Sequence, residues 1–161
     1  IETALKSFRG LKRRQEVRFE GKHTLVIDDN AHTPVKVAGG LEALSKMFPK
    51  YNLCVVYEPG NRSKAALLDD GYRTCFKLAR KVILPRVSTL SEDVRDFNEK
   101  LFKKISPHYR DVNYAGDDMD VMAEIRKFIE ARRHGQSPKA IVFMSQKGFR
   151  GMIEETISLL Q

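Results

Sequence analysis

Two groups of ionisable residues near the start of the chain have types and spacing suited to a phosphorylated ligand. The first is Lys12-Arg13-Arg14, whose guanidinium forks match phosphate oxygens two at a time. The second is Asp28-Asp29-Asn30-Ala31-His32, which brings two acids, an amide and an imidazole together. Between them, residues 23–27 are apolar and β-branched, as in a buried strand, and Thr33-Pro34 reads as a helix cap followed by a first helical residue. The acids therefore stand at the carboxyl end of a strand, where ligands bind in open α/β sheets. Neighbouring strand residues point to opposite faces, so Asp28 and Asp29 cannot both serve one site simply. A basic pair followed by an acidic strand end suggests a nucleotide with its phosphates. Two later stretches add cations: Asn61-Arg62-Ser63-Lys64 follows a second strand, and Gln146-Lys147-Gly148-Phe149-Arg150-Gly151 reads as a turn opening the last helix. The free N–H groups of such a helix start suit an anion.

The elements that must hold these residues alternate. Residues 1–9 suit a short helix, and residues 17–20 and 23–28 read as a hairpin turning at Gly21 on a sheet edge. Val37, Leu41, Leu44 and Phe48 recur at helical spacing until Pro49. Gly39-Gly40 inside that helix costs roughly 1 kcal/mol per glycine relative to alanine, which implies close approach of another surface. Residues 53–57 form a strand pattern, 63–78 a helix, 81–84 a strand ended by Pro85, and 91–105 a helix capped by Ser91. Residues 111–115 then read as a strand, 118–133 as a helix, 140–144 as the last strand and 148–160 as the last helix. This order predicts one Rossmann-like, three-layer α/β domain over residues 1–161. Its sheet is mostly parallel with an antiparallel edge hairpin, and helices cover both faces.

Composition narrows the partners. With 29 Lys and Arg against 21 Asp and Glu, the net charge of +8 favours anionic ligands. Nucleic acid is not expected as a partner, since no aromatics interleave the basic residues and no helix-turn-helix or zinc-finger spacing occurs. No apolar run approaches the roughly 20 residues of a membrane span, so no membrane partner is expected either. Cys54 and Cys75 fall in apolar patterns and suggest no disulfide framework, which fits a reducing cytoplasm. His23, His32, His108 and His134 are scattered, and no metal site is expected within this chain.

Phe8-Arg9-Gly10-Leu11-Lys12-Arg13-Arg14-Gln15-Glu16, followed by Asp29-Asn30-Ala31-His32-Thr33-Pro34, resembles the opening of the C-terminal domain of the Mur ligases. Those are ATP-dependent amide-forming enzymes of bacterial cell-wall precursor synthesis. Tyr57-Glu58-Pro59-Gly60-Asn61-Arg62-Ser63 and Met144-Ser145-Gln146-Lys147-Gly148-Phe149-Arg150-Gly151 resemble the branch that rejoins a recycled muropeptide to UDP-N-acetylmuramate, with the branch that adds L-alanine next.

The resemblance implies that Arg14 reaches the nucleotide and acts on the transferring phosphoryl group, with Arg13 structural. It matches Asp29 to the acid that accepts hydrogen bonds from the ribose hydroxyls, and it gives His32 a nucleotide-facing role. Asn30 departs from relatives that carry an aromatic residue there. Asn61, Arg62 and Ser63 fall in the loop that meets the incoming substrate's carboxylate, and Lys147 and Arg150 are further candidates for a peptide carboxylate. The chain is then expected to be one domain of a larger enzyme and inactive alone. ATP would be the nucleotide, Mg2+ would be held by the central domain, and the other partners would be UDP-N-acetylmuramate, a peptide or amino-acid amine, and the N-terminal domain. Two other classes compete. Leu25-Val26-Ile27-Asp28-Asp29-Asn30 resembles the first-strand acidic pair of a response-regulator receiver, but Leu84-Pro85-Arg86 puts no acid at the end of the third strand. A non-enzymatic basic module binding anions or nucleic acid is the other.

Overall fold

The computed structural model describes residues 11–60, 67, 69–86, 92–131 and 137–161. Strand β1 (Glu16–Glu20) pairs antiparallel with β2 (Thr24–Asp29), with a bulge between Val17 and Phe19. Helix α1 (Pro34–Met47) leads to β3 (Asn52–Glu58), and a 3-10 turn at Asp70–Arg73 precedes β4 (Lys81–Pro85). Helix α2 (Glu92–Ile105), β5 (Val112–Ala115), α3 (Asp118–Glu130), β6 (Lys139–Ser145) and α4 (Met152–Ser158) complete the chain. The six strands lie in the order β1-β2-β6-β3-β4-β5, and every pair except β1–β2 is parallel.

The sheet separates two cores, as strand alternation requires. Leu25, Ile27, Val55, Tyr57, Val142 and Met144 pack under Val37, Leu41 and Leu44 of α1. Val26, Cys54, Val56, Ile141 and Phe143 pack against α3 and α4 through Val121, Ile125, Met152 and Ile153. Both faces of β3 and β6 are thus covered, which explains their near-continuous apolar runs. The three-layer, mostly parallel architecture with its antiparallel edge hairpin is the one expected from the alternating pattern. The strand order also argues against a receiver, in which the last strand lies at an edge; here β6 is central.

Several boundaries differ from expectation. The helix expected over residues 63–78 is, in its described second half, a 3-10 turn followed by turns. Asp69 there accepts a hydrogen bond from the Gly71 N–H at 2.8 Å, and a side chain at Gly71 would meet Pro34 at 2.8 Å, so the chain is wound tightly against the start of α1. Helix α3 ends at Glu130 rather than residue 133, with Lys139 Nζ donating to the carbonyls of Ile129 and Ala131. The last helix begins at Met152 rather than 148, because Gly148, Arg150 and Gly151 take φ of 92°, 51° and 90°, which no right-handed helix contains. The helix expected at residues 1–9 and the Ser91 cap lie outside the described residues. Of the two adjacent glycines in α1, Gly40 makes the close approach: a Cβ there would lie 3.3 Å from Met144 Cε, whereas Gly39 faces open space.

Candidate functional site

Parallel register levels the carboxyl ends of three adjacent strands. Asp29 stands opposite Met144, and Glu58 opposite Ser145. The chain leaves β2 for α1 on one face and leaves β6 for α4 on the other, so a crevice opens between these two ends, the usual binding place in such sheets.

The Lys12-Arg13-Arg14 turn folds over this crevice. The Asn30 N–H donates to the Arg13 carbonyl at 2.8 Å, and the Gln15 N–H to Asp29 Oδ2 at 3.1 Å. Arg14 is exposed and sits between two left-handed residues, Arg13 (φ 57°) and Gln15 (φ 51°). Asp29 is buried, and its Oδ1 accepts the Ala31 N–H at 2.7 Å. Burial pushes its carboxyl pKa above the usual 3.8, against the Ala31 and Gln15 N–H groups and the charges of Arg14 and Arg13, which pull it down. Arg14 and Asp29 therefore share one rim. Asp29 shapes the loop through the Ala31 and Gln15 N–H groups, and does not cap α1. The Thr33 side chain makes no cap hydrogen bond either, although Thr33 and Pro34 occupy the expected first positions.

Asp28 faces the other way, as expected, and meets Arg13 Nε at 3.3 Å and Arg18 Nη1 at 3.9 Å. Burial dominates here too and raises its pKa despite both arginines. The Asn30 carboxamide oxygen is buried without a hydrogen-bond partner. His32 Nδ1 lies 2.7 Å from the Asn30 carbonyl; with Lys36 Nζ 3.4 Å from Nε2, the consistent tautomer has Nδ1–H donating. The His32 carbonyl accepts from the Gly60 N–H at 3.1 Å and from Tyr57 Oη at 3.0 Å, so the imidazole stands on the end of β3.

Beside it, Glu58, Pro59, Gly60, Ser145, Gln146 and Lys147 line a notch of about 10 Å³, room for one water-sized group. Lys147 is exposed at its mouth. The N–H groups of Lys147 and Gly148, expected to be open to an anion at a helix start, donate instead to Ser145 Oγ at 3.1 and 2.8 Å. Arg150 Nη1 donates to the buried Glu58 at 2.8 Å, and its Nη2 and Nε reach Asp118 at 2.9 and 3.2 Å. Its guanidinium is thus engaged by two of the chain's own carboxylates, which together hold it protonated, the Asp118 bonds most strongly. Sequence reading missed Glu58 and Asp118 in this role. Asn61, Arg62 and Ser63 lie outside the described residues. Among the described residues no cluster of His, Cys, Asp and Glu could hold a metal ion, and no helix is long and apolar enough to cross a membrane.

No family model matches the chain. It is 37% identical over 92 residues to a UDP-N-acetylmuramate–L-alanine ligase of Desulfotalea psychrophila, a match covering 57% of this chain and 20% of that protein. Among solved structures it is similar to a murein peptide ligase of Psychrobacter arcticus, with a TM-score of 0.72 and 24% identity over 98% of this chain and 32% of the other. It is similar also to the MurF ligase of Thermotoga maritima solved with ADP, with a TM-score of 0.62 and 15% identity over 98% of this chain and 32% of that one. The chain spans about a fifth of the length of the curated relative.

Proposed function

We propose that the chain is a C-terminal domain of the Mur ligase kind and serves as the lid of an ATP-dependent amide-forming ligase of peptidoglycan synthesis or recycling, a reading supported by its likeness to the UDP-N-acetylmuramate–L-alanine ligase and to the murein peptide ligase. In that reaction ATP phosphorylates the carboxylate of UDP-N-acetylmuramate, and an amine displaces the phosphate. The observation that carries the reading is the shared rim of Arg14 and Asp29 at the β2–β6 crevice.

The rim fits a nucleotide. Asp29 accepts one backbone N–H on each oxygen, and an ionised carboxylate has lone pairs left for ribose hydroxyls. His32 is fixed on its Nδ1 side by the Asn30 carbonyl and carries Lys36 on Nε2, so a nucleotide-facing role would place the Lys36 ammonium beside the ligand. Arg14, exposed at the outer edge, would neutralise charge developing on the transferring phosphoryl group. Asn61, Arg62, Ser63 and Lys147 would meet the amine substrate's carboxylate, with Arg150 holding the β6 turn to β3 and α3 from behind. Closing such a lid excludes water from a hydrolysable acyl phosphate. Mg2+, a phosphate-binding loop and the UDP-sugar site would belong to other parts of the enzyme, in a cytoplasmic setting.

The amine divides two readings. The Tyr57–Ser63 and Met144–Gly151 stretches favour a muropeptide, whereas the 37% match favours L-alanine. The full-length protein, assayed with UDP-N-acetylmuramate, ATP and each amine in turn, should release ADP with one of them; release with neither overturns the reading. Arg14→Ala should slow turnover on the order of a hundredfold, and unchanged turnover would contradict its role. Arg62→Ala should chiefly raise the KM of the amine, and an effect confined to ATP would remove it from that side.

A further inference from the structure

Arg13 fills the crevice between β2 and β6. Its Nη2 donates to the Ser145 carbonyl at 2.7 Å, its Nη1 to the Gln146 carbonyl at 2.9 Å, and its Nε lies 3.3 Å from Asp28 Oδ2. Through its backbone it accepts from the Asn30 N–H at 2.8 Å and donates to Glu16 Oε2 at 2.8 Å. One residue thus grips both sides of the rim. On one side stand Arg14, Asp29 and Asn30; on the other stands the turn of Ser145, Gln146 and Lys147, which lines the notch.

Two features show that this grip is needed. The left-handed φ of both Arg13 and Gln15 is a backbone state that persists in side-chain-bearing residues only when the surroundings over-determine it. Asp28 is 3% exposed, and Arg13 is the nearer of its two cationic partners. We propose that Arg13 is a positioning residue that fastens the Arg14 turn and the Asp29–Asn30 strand end to the Ser145–Lys147 turn, so that the nucleotide side and the amine side of the rim move as one unit. The proposal deepens the ligase reading and rests on it.

Arg13→Lys separates position from charge. A lysine can pair with Asp28, but as a point charge it cannot fork across two carbonyls as well. In the full-length protein this variant should remain folded and melt cooperatively, a few degrees below the wild type, since two charge-assisted hydrogen bonds are lost. Its kcat should fall between about tenfold and a hundredfold, the cost of misplacing a group by about an ångström. Because Arg13 acts in part through Arg14, Arg13→Lys combined with Arg14→Ala should lose less than the product of the two single losses. Hydrogen exchange of the Gln15, Asn30, Lys147 and Gly148 amides should quicken together, by about tenfold, in Arg13→Lys. Wild-type turnover in Arg13→Lys, losses that multiply in the double variant, or exchange that quickens on one side only would each overturn the proposal. If the wild-type protein makes no amide with ATP, the ligase reading fails, and the exchange result alone decides whether Arg13 couples the two turns.

Discussion

Gly60 gives the sharpest test of the rim's geometry. A Cβ built there would lie 2.5 Å from His32 Cδ2 and 3.0 Å from both His32 Cγ and Gln146 Oε1. Carbon atoms rest about 3.5–4.0 Å apart, so in Gly60→Ala the imidazole must retreat by about 1 Å. It has little freedom to do so, since Nδ1 is bonded to the Asn30 carbonyl at 2.7 Å and the His32 carbonyl is held by the Gly60 N–H and Tyr57 Oη. Overpacking of this kind costs about 1–3 kcal/mol, and a site wedged on two sides belongs near the middle of that range or above it. For a domain of this size, about 2 kcal/mol lowers the thermal midpoint by about 4–8 °C. Circular dichroism melts of wild type and Gly60→Ala give the shift, and the His32 ring resonances report whether the wedge acts at the imidazole. An unchanged midpoint with unmoved His32 resonances would refute the reasoning, because the end of β3 and the His32 ring would then have room between them for a methyl group.

Other substitutions probe other parts of the fold. Gly39→Ala should stabilise the chain by about 1 kcal/mol, since it adds helix propensity in open space; a chemical-denaturation midpoint that falls would contradict the placement of Gly39 on the outer face of α1. Lys81 is bonded to Glu124 at 2.7 Å and Asp111 at 3.1 Å, so Lys81→Met should cost about 2 kcal/mol, less than a fully enclosed pair because Asp111 is half exposed. A urea titration showing no loss would mean that the two acids manage without it. Burial raises the Asp29 pKa, so in the interval just above 3.8 the folded state holds a proton that the unfolded state has released. Stability from this group therefore declines as pH rises through that interval, and Asp29→Asn should remove its share and leave that of Asp28, whose pKa burial also raises. Unfolding free energies across the acid range check it, and the opposite slope in the wild type relative to the variant would overturn the sign.

What could be read from the sequence was what repeats locally. The apolar runs of β3 and β6, the 3.6-residue spacing of Val37, Leu41 and Leu44, and the Thr33-Pro34 start all follow from neighbouring residues, and the structure has each of them. Alternation alone placed Asp28 and Asp29 on opposite faces. The expected 63–78 helix ran past Asp69-Asp70-Gly71, where a side-chain bond and the nearness of Pro34 wind the chain more tightly than periodicity can register. The last helix was expected four residues early because Met152, Ile153 and Thr156 keep helical spacing with Phe149, while the left-handed residues before them leave no mark on hydrophobicity. Arg150 was expected at a substrate, but its partners Glu58 and Asp118 lie 92 and 32 residues away, and such pairings exist only once the sheet is assembled. The grip of Arg13 on Ser145 and Gln146 was hidden for the same reason.

The position of β6 has a consequence for how the molecule is made. It is the last in sequence of the six described strands and yet fills an inner slot, between β2 and β3. Until it arrives, those two strands have no common neighbour, and each presents an unsatisfied, largely apolar edge of the sort that invites pairing with other chains. Assembly of the sheet must therefore wait for a contact between distant parts of the polypeptide, which is the slow kind, and a nascent chain halted before Lys139 would be the species most prone to aggregate.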